Sequence, residues 1–278
     1  MPSKALSLSK GRRFRPENAE LQLGPPIHFT AKTTKTGHAH PRAAPQPMKD
    51  QLKAVADSYD RAIVLGKQGI DQYKEFPELI TATPAYRLFL KMREEGNLSD
   101  SARDGIRTFL SPGLDMRFID FGCCLNLMFR GYNKWASLYH GVDISPNTIE
   151  LLQSYANRNR LRTGALVCCG MHETPFADAY FEIGACIGSL EYFEKAYVQS
   201  AMKEFRRLIK PAGRLVLDIP DVGSPEFKSI AMIEEHLGRR ERFNMTIAEF
   251  EAELRPFWSI AHREKVGPML QYFLSSRK

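Results

Sequence analysis

The sequence predicts an α/β protein built on a largely parallel sheet, with a helical cap ahead of it. Two observations carry that expectation. From residue 113 onward, short apolar runs alternate with longer amphipathic ones, the pattern of strands joined by crossover helices and covered on both faces. Before residue 113 the apolar periodicity is helical only, and residues 1–47 show none. A length of 278 residues with 43% hydrophobic side chains is enough for one large folded domain with a small cap.

Residues 1–47 hold seven of the 17 prolines and carry eight Lys or Arg against two Glu. Too little apolar surface is present to offset the entropy of ordering, so a disordered basic tail is expected. The prolines interrupt the amphipathic helix that an organelle-targeting leader would need. The segment also reads as an extension upstream of a start at Met48; neither reading gives it chemistry.

The cap is expected over residues 48–112. Leu52, Val55, Ala56, Tyr59, Ile63 and Ile70 recur at steps of mostly three and four, predicting a helix from Asp50 to about Tyr73. Two shorter helices follow, Pro84 to Arg93 and Ser99 to Leu110, the second opening on Ser99 as N-cap. In the main domain, residues 113–278, strands are expected at Arg117–Phe121, Tyr139–Val142, Ala165–Cys169, Glu182–Ile187 and Arg214–Ile219. Helices are expected near Leu127–Lys134, Pro146–Asn159 and Lys195–Ile209. A helical insertion at about 222–255 (Pro225–Leu237 and Thr246–Arg255) precedes two last strands, Phe257–His262 and Met269–Leu274. The four residues between those strands cannot cross over a sheet, so they predict an antiparallel hairpin.

The formal charge of +7 is concentrated in the tail, which carries +6 of it. The folded part is close to neutral and argues against a nucleic-acid partner. No apolar run approaches the roughly 18 residues of a membrane helix, and no secretory signal opens the chain, so no membrane association and a cytoplasmic location are expected. Cys123-Cys124, Cys168-Cys169 and Cys186 lack the spacing of a zinc site and read as buried, reduced thiols; no metal is expected.

Two strand ends carry chemistry. The first runs Asp120-Phe121-Gly122-Cys123-Cys124-Leu125-Asn126, where an acid and a glycine at a strand-to-helix turn allow close backbone approach to a ligand. The second ends on Asp143, 21 residues after Gly122, where a carboxylate can accept hydrogen bonds from a ribose diol. Capping of the helix from Pro146 is the other reading of Asp143, although Ser145 is better placed for it.

With those motifs in view, the chain resembles the class I S-adenosylmethionine-dependent methyltransferases over about residues 113–274. Ile119-Asp120-Phe121-Gly122 matches that family's opening glycine loop, and Gly141-Val142-Asp143-Ile144-Ser145 its ribose-binding segment. Glu173-Thr174-Pro175-Phe176 with Tyr180-Phe181-Glu182 is similar to its "(D/E)LPF…FD" stretch. Leu208 to Leu217 is similar to "LKPGGxLxL". The resemblance implies a Rossmann-like seven-stranded sheet of order 3-2-1-4-5-7-6 with strand 7 antiparallel. It also implies S-adenosyl-L-methionine as cofactor and methyl transfer by in-line displacement; with a near-neutral folded part and none of the motifs of base-methylating enzymes, a small-molecule methyl acceptor enclosed by the cap and the insertion is the expected partner.

By the same resemblance the cofactor-binding set is Asp120, Gly122, Cys124, Asn126, Asp143, Ile144, Met171, His172 and Ser189. The chain departs from the family at Cys124 and Asn126, where glycines are usual, and at Gly170, where an acid often holds the adenine amino group. Candidate catalytic residues are Glu191 and Tyr192 after the fourth strand and Tyr59 on the cap helix. Each also has a plainer reading: an exposed first-turn acid for Glu191, and core packing for Tyr192 and Tyr59. His172 also reads as a solvated loop side chain, and Tyr132 and Trp135 as core. A catalytically silent binding or regulatory module of the same fold is the alternative function.

Overall fold

The computed structural model describes residues 46–70, 72, 76–94, 105–240 and 242–277. The expected tail, apart from its last two residues, and the Ser99 N-cap lie outside the described residues.

The first helix, α1 (Gln46–Lys67), starts four residues before the expected boundary and ends six before it. Pro47 does not prevent the early start, because the first helical turn has no intrahelical partner for an N–H. Val55 and Ile63 on its inner face are buried. Among the described residues, helices α2 (Glu78–Thr81), α3 (Pro84–Glu94) and α4 (Gly105–Leu110) follow ahead of the sheet. None of the described helices is long and apolar enough to cross a membrane.

Seven strands follow: β1 (Arg117–Phe121), β2 (Leu138–Asp143), β3 (Thr163–Cys168), β4 (Phe181–Cys186), β5 (Ile209–Pro220), β6 (Trp258–Val266) and β7 (Met269–Ser276). They form one sheet in the order β3-β2-β1-β4-β5-β7-β6, parallel except for β7, which runs antiparallel to both β5 and β6. This is the order and strand sense expected from the resemblance. Alternate residues of β1 feed two cores. Ile119 and Phe121 join the cluster completed by Phe205, Phe250 and Tyr272, while Phe118 joins the one completed by Leu110, Leu127 and Leu152.

Strand β6 runs four residues past its expected end at His262, to Val266, and two further local expectations change. The helix expected at Leu127–Lys134 is a short α5 (Asn126–Phe129) and a separate 3-10 turn at Tyr132–Lys134, parted by Gly131 at φ 69°. Tyr132 and Trp135 pack on Phe118, the core role. Strand β5 begins five residues early, at Ile209. Its pairing with β4 jumps from Phe181–Ile209 to Ile183–Arg214, so Lys210–Gly213 form a bulge with Ala212 at φ 62°. The remaining helices, α6 (Pro146–Arg158), α7 (Lys195–Leu208), α8 (Pro225–His236) and α9 (Ile247–Leu254), fall within a residue of expectation. Ser145, Ser224 and Thr246 cap α6, α8 and α9 by accepting backbone N–H groups.

Strand order reverses between β1 and β4, and a ligand crevice is expected outside the carboxyl ends of the strands at such a reversal.

Candidate active site

A cleft opens at that reversal, with about 750 Å³ of empty space, its open mouth included. Its walls come from the loop after β1 (Gly122, Cys124, Asn126, Arg130), the end of β2 (Asp143, Ile144), the loop after β3 (Cys169, Met171) and the loop after β4 (Gly188, Ser189, Tyr192). Helix α1 closes one side with Val55 and Tyr59.

Asp143 organises the two loops that meet there. Its Oδ2 accepts the Cys124 N–H at 2.8 Å and its Oδ1 accepts the Ser145 N–H at 2.9 Å, which leaves lone pairs on both oxygens for a ligand. Burial raises the carboxyl to about 6, with the N–H bonds from Ser145 and Cys124 acting against it. A second carboxylate, Asp60 on α1, accepts the Ser145 hydroxyl at 2.5 Å and the Asn147 N–H at 3.2 Å. The cap helix is thereby joined to the first turn of α6, next to Asp143.

Gly122 has φ 65°, and a Cβ there would overlap the Ser189 hydroxyl and lie 2.8 Å from the Ser189 Cβ. The β1 and β4 loops therefore touch through a position open only to glycine. Cys124 is also left-handed, at φ 38°, with a half-buried side chain in the wall. Burial first, and the Asp143 charge second, push its thiol up to about 12, so it stays protonated at neutral pH.

Tyr59 and Tyr192 meet across 133 residues of chain. Their hydroxyls are 3.2 Å apart and their rings pack edge to face with centroids 6.1 Å apart. Desolvation raises both phenols above their usual range, so both hold their protons. At this cleft they are hydrogen-bonding groups rather than bases.

Of the residues expected from sequence, Gly122, Cys124, Asn126, Asp143, Ile144, Met171, Ser189, Tyr59 and Tyr192 are brought together around the cleft. Three are placed elsewhere. Asp120 lies beneath the loop, fully buried, where its carboxylate takes the Tyr139 hydroxyl at 2.9 Å and the Asn126 amide at 3.3 Å. Burial lifts its carboxyl to about 7. His172 packs on Tyr197 with ring centroids 4.8 Å apart, its Nδ1 is buried without a hydrogen-bond partner, and desolvation lowers its pKa. Glu191 is buried rather than exposed and is not in the cleft wall; its carbonyl accepts the Arg242 and Phe243 N–H groups. That pairing draws the chain after α8 against the β4 loop.

Residues missed from sequence are Asp60, Arg130, Cys169 and Arg239. Arg130 had a weak signal, since it lies one helical turn after Asn126 and its Nε donates to the Asn126 side chain at 2.8 Å. Asp60 and Arg239 reach the site by long-range packing and had none.

Residues 119–217 match the family model described as a methyltransferase domain. No curated protein matches the chain significantly in sequence. Among solved structures, geranyl diphosphate C-methyltransferase from Streptomyces coelicolor superposes with a TM-score of 0.56 at 14% identity, over 82% of this chain and 97% of that one. Magnesium protoporphyrin IX methyltransferase from Synechocystis gives 0.56 at 13% identity, over 82% of this chain and 100% of that one. The [4+2]-cyclase SpnF gives 0.50 at 16% identity, over 64% and 80%.

Proposed function

We propose that this chain, a class I methyltransferase by its domain match and sheet order, transfers a methyl group from S-adenosylmethionine to a small-molecule acceptor. The observation that carries the reading is Asp143. It ends β2 in the wall of the cleft, and each of its oxygens is fixed by a backbone N–H with acceptor capacity left over. A buried carboxylate of this kind is suited to a vicinal diol such as ribose.

The remaining residues fit the same cofactor. Ile144 and Met171 offer an apolar slot for the adenine ring, and the wall at Gly122 and Asn126 would face the amino-acid end. Arg130 lines that side of the cleft and would pair with the amino acid's carboxylate. When bound, S-adenosylmethionine would supply an electrophilic methyl group on a sulfonium cation. Tyr59 and Tyr192, both protonated, would orient the acceptor by hydrogen bonds, and their ring faces suit a cation. Displacement in line needs positioning above all, and well-oriented reactants gain up to about 7–11 kcal/mol from it. The transfer as proposed needs no base from the buried Glu191. Support for a small acceptor comes from the near-neutral folded part and from two structural neighbours that are named for geranyl diphosphate and magnesium protoporphyrin IX.

Because the fold also carries a protein named as a cyclase, binding alone is not a sufficient test. Calorimetry with S-adenosylmethionine and S-adenosylhomocysteine should show affinity for both. Mass spectrometry of small molecules retained by the purified protein, followed by assay of homocysteine-product formation, identifies the acceptor. A silent binding module is the second reading, favoured by Cys124 and Asn126 in a loop that usually holds glycines. Wild type with no affinity for either ligand would establish it and discard ours.

Two further results are expected. Ribose hydroxyls donate to an ionised Asp143 better than to its acid, so affinity should be full above about pH 7 and fall about tenfold by pH 5, the loss centred on the group's value of about 6. A titration of binding against pH checks this, and Asp143→Asn should flatten the profile. Replacing Cys124 by Gly removes a left-handed strain of about 1–2 kcal/mol and adds about 0.5–1 kcal/mol of unfolded-state entropy. Stability should therefore stay within about 1 kcal/mol of wild type, while cofactor affinity rises because a side chain leaves the wall. Weaker binding by the glycine variant in calorimetry would show that the thiol contributes a contact.

A further inference from the structure

Helix α8 ends in a Schellman turn. Gly238 sits at φ 78° and donates to the Glu235 carbonyl at 3.0 Å, and Arg239 donates to the Glu234 carbonyl at 2.8 Å. That turn folds the Arg239 side chain back onto Glu234, with Nε 2.8 Å from the carboxylate and the two side chains only 4% and 8% exposed. The loop is held against the cap helix, where the Ser58 hydroxyl donates to the Leu237 carbonyl at 3.4 Å. It brings the guanidinium carbon within 5.0 Å of the Tyr59 ring centre, on an aromatic that lines the cleft. A buried ion pair has thus been placed immediately behind the cleft wall, and nothing in the proposed transfer uses it.

Resting on the cofactor reading above, we infer that the pairing of the buried Glu234 and Arg239 keeps the cleft from favouring either the sulfonium substrate or its neutral thioether product, a balance that either charge alone would upset. Methyl transfer removes one positive charge from the cleft: S-adenosylmethionine and S-adenosylhomocysteine differ by a methyl group and that charge. Fixed charges behind the wall act on the difference, and their field is weakly screened by solvent because both are buried. Glu234 favours the cation and Arg239 opposes it, so together they hold the balance near neutral. Burial dominates at the Tyr59 phenol and the Cys124 thiol and raises both; the Arg239 charge acts against it at each, and the Glu234 charge acts with it at Tyr59.

The test is the ratio of the two dissociation constants, measured by calorimetry at about pH 8 in wild type, Glu234→Gln, Arg239→Met and the double variant. Loss of the carboxylate should weaken S-adenosylmethionine relative to S-adenosylhomocysteine on the order of tenfold, and loss of the guanidinium should strengthen it by a similar factor. This is the size of a unit charge acting across roughly 10 Å at an effective dielectric near 20. Opposite signs are the decisive readout, because a general disturbance of the cleft moves both ligands together and leaves the ratio alone. Removing one member of a buried pair can prevent folding, whereas removing both is commonly tolerated. The double variant should keep the wild-type ratio, and Arg239→Lys should keep it too. A ratio unchanged in the single variants, shifts of the same sign in both, or a tenfold shift in the double variant overturns the inference. Absence of binding in wild type instead overturns the cofactor reading.

Discussion

Asp143→Ala is expected to weaken S-adenosylmethionine binding by a factor of a hundred or more. Two ribose hydrogen bonds to an ionised carboxylate are worth about 1.5–3 kcal/mol each, so their loss removes about 3–6 kcal/mol. The same substitution takes the acceptor from the Cys124 and Ser145 N–H groups, so the loop after β1 loses its tie to β2 as well. Stability changes less than affinity. Two N–H groups left without an acceptor are unfavourable, but the carboxylate removed was itself disfavoured by burial, as its rise to about 6 shows. Calorimetry paired with thermal unfolding separates the two effects. The aspartate has no part in binding if the alanine variant folds and binds within tenfold of wild type.

What the sequence made legible follows from the range of the interactions involved. The parallel strands were readable because a buried strand is a continuous apolar run, and the terminal hairpin because its link is too short for a crossover. The break after α5 and the bulge at Lys210–Gly213 were not, since Gly131 and Ala212 at positive φ are decided by neighbouring strands and turns. In the site, Gly122 and Asp143 were readable as backbone-defined positions at strand ends. Asp120 was expected at the cofactor and instead lies buried beneath the loop. Alternation along β1 puts it on the side of Phe118, where Tyr139 claims its carboxylate, while Ile119 and Phe121 face the other core. Tyr59 and Tyr192 were each singled out separately, but their pairing, Asp60 on Ser145, and Arg239 behind Tyr59 depend on contacts between distant segments. No local pattern encodes these.

Gly122→Ala is expected to cost about 2–5 kcal/mol of stability and to remove cofactor binding with it. Positive φ is not enough to explain an effect of that size, because Cys124 at 38° and Ala212 at 62° are tolerated in the same chain. The left-handed conformation contributes about 1–2 kcal/mol. What distinguishes position 122 is Ser189, whose hydroxyl a new Cβ would overlap and whose Cβ it would approach to 2.8 Å. Overpacking of that kind adds about 1–3 kcal/mol. The Ser189 hydroxyl cannot retreat freely, since it lies among the Phe121, Gly122 and Ile187 carbonyls at 3.4–3.5 Å. The strain would therefore be relieved by separating the β1 and β4 loops, both of which line the cleft. A domain of this size loses about 2–4 °C of melting temperature per kcal/mol, so a drop of roughly 4–20 °C should be seen. Adding Ser189→Gly to Gly122→Ala should recover the overpacking part and leave the backbone part, a partial rescue of about half. A single variant that melts with wild type and still binds S-adenosylmethionine would mean that the two loops do not meet as described.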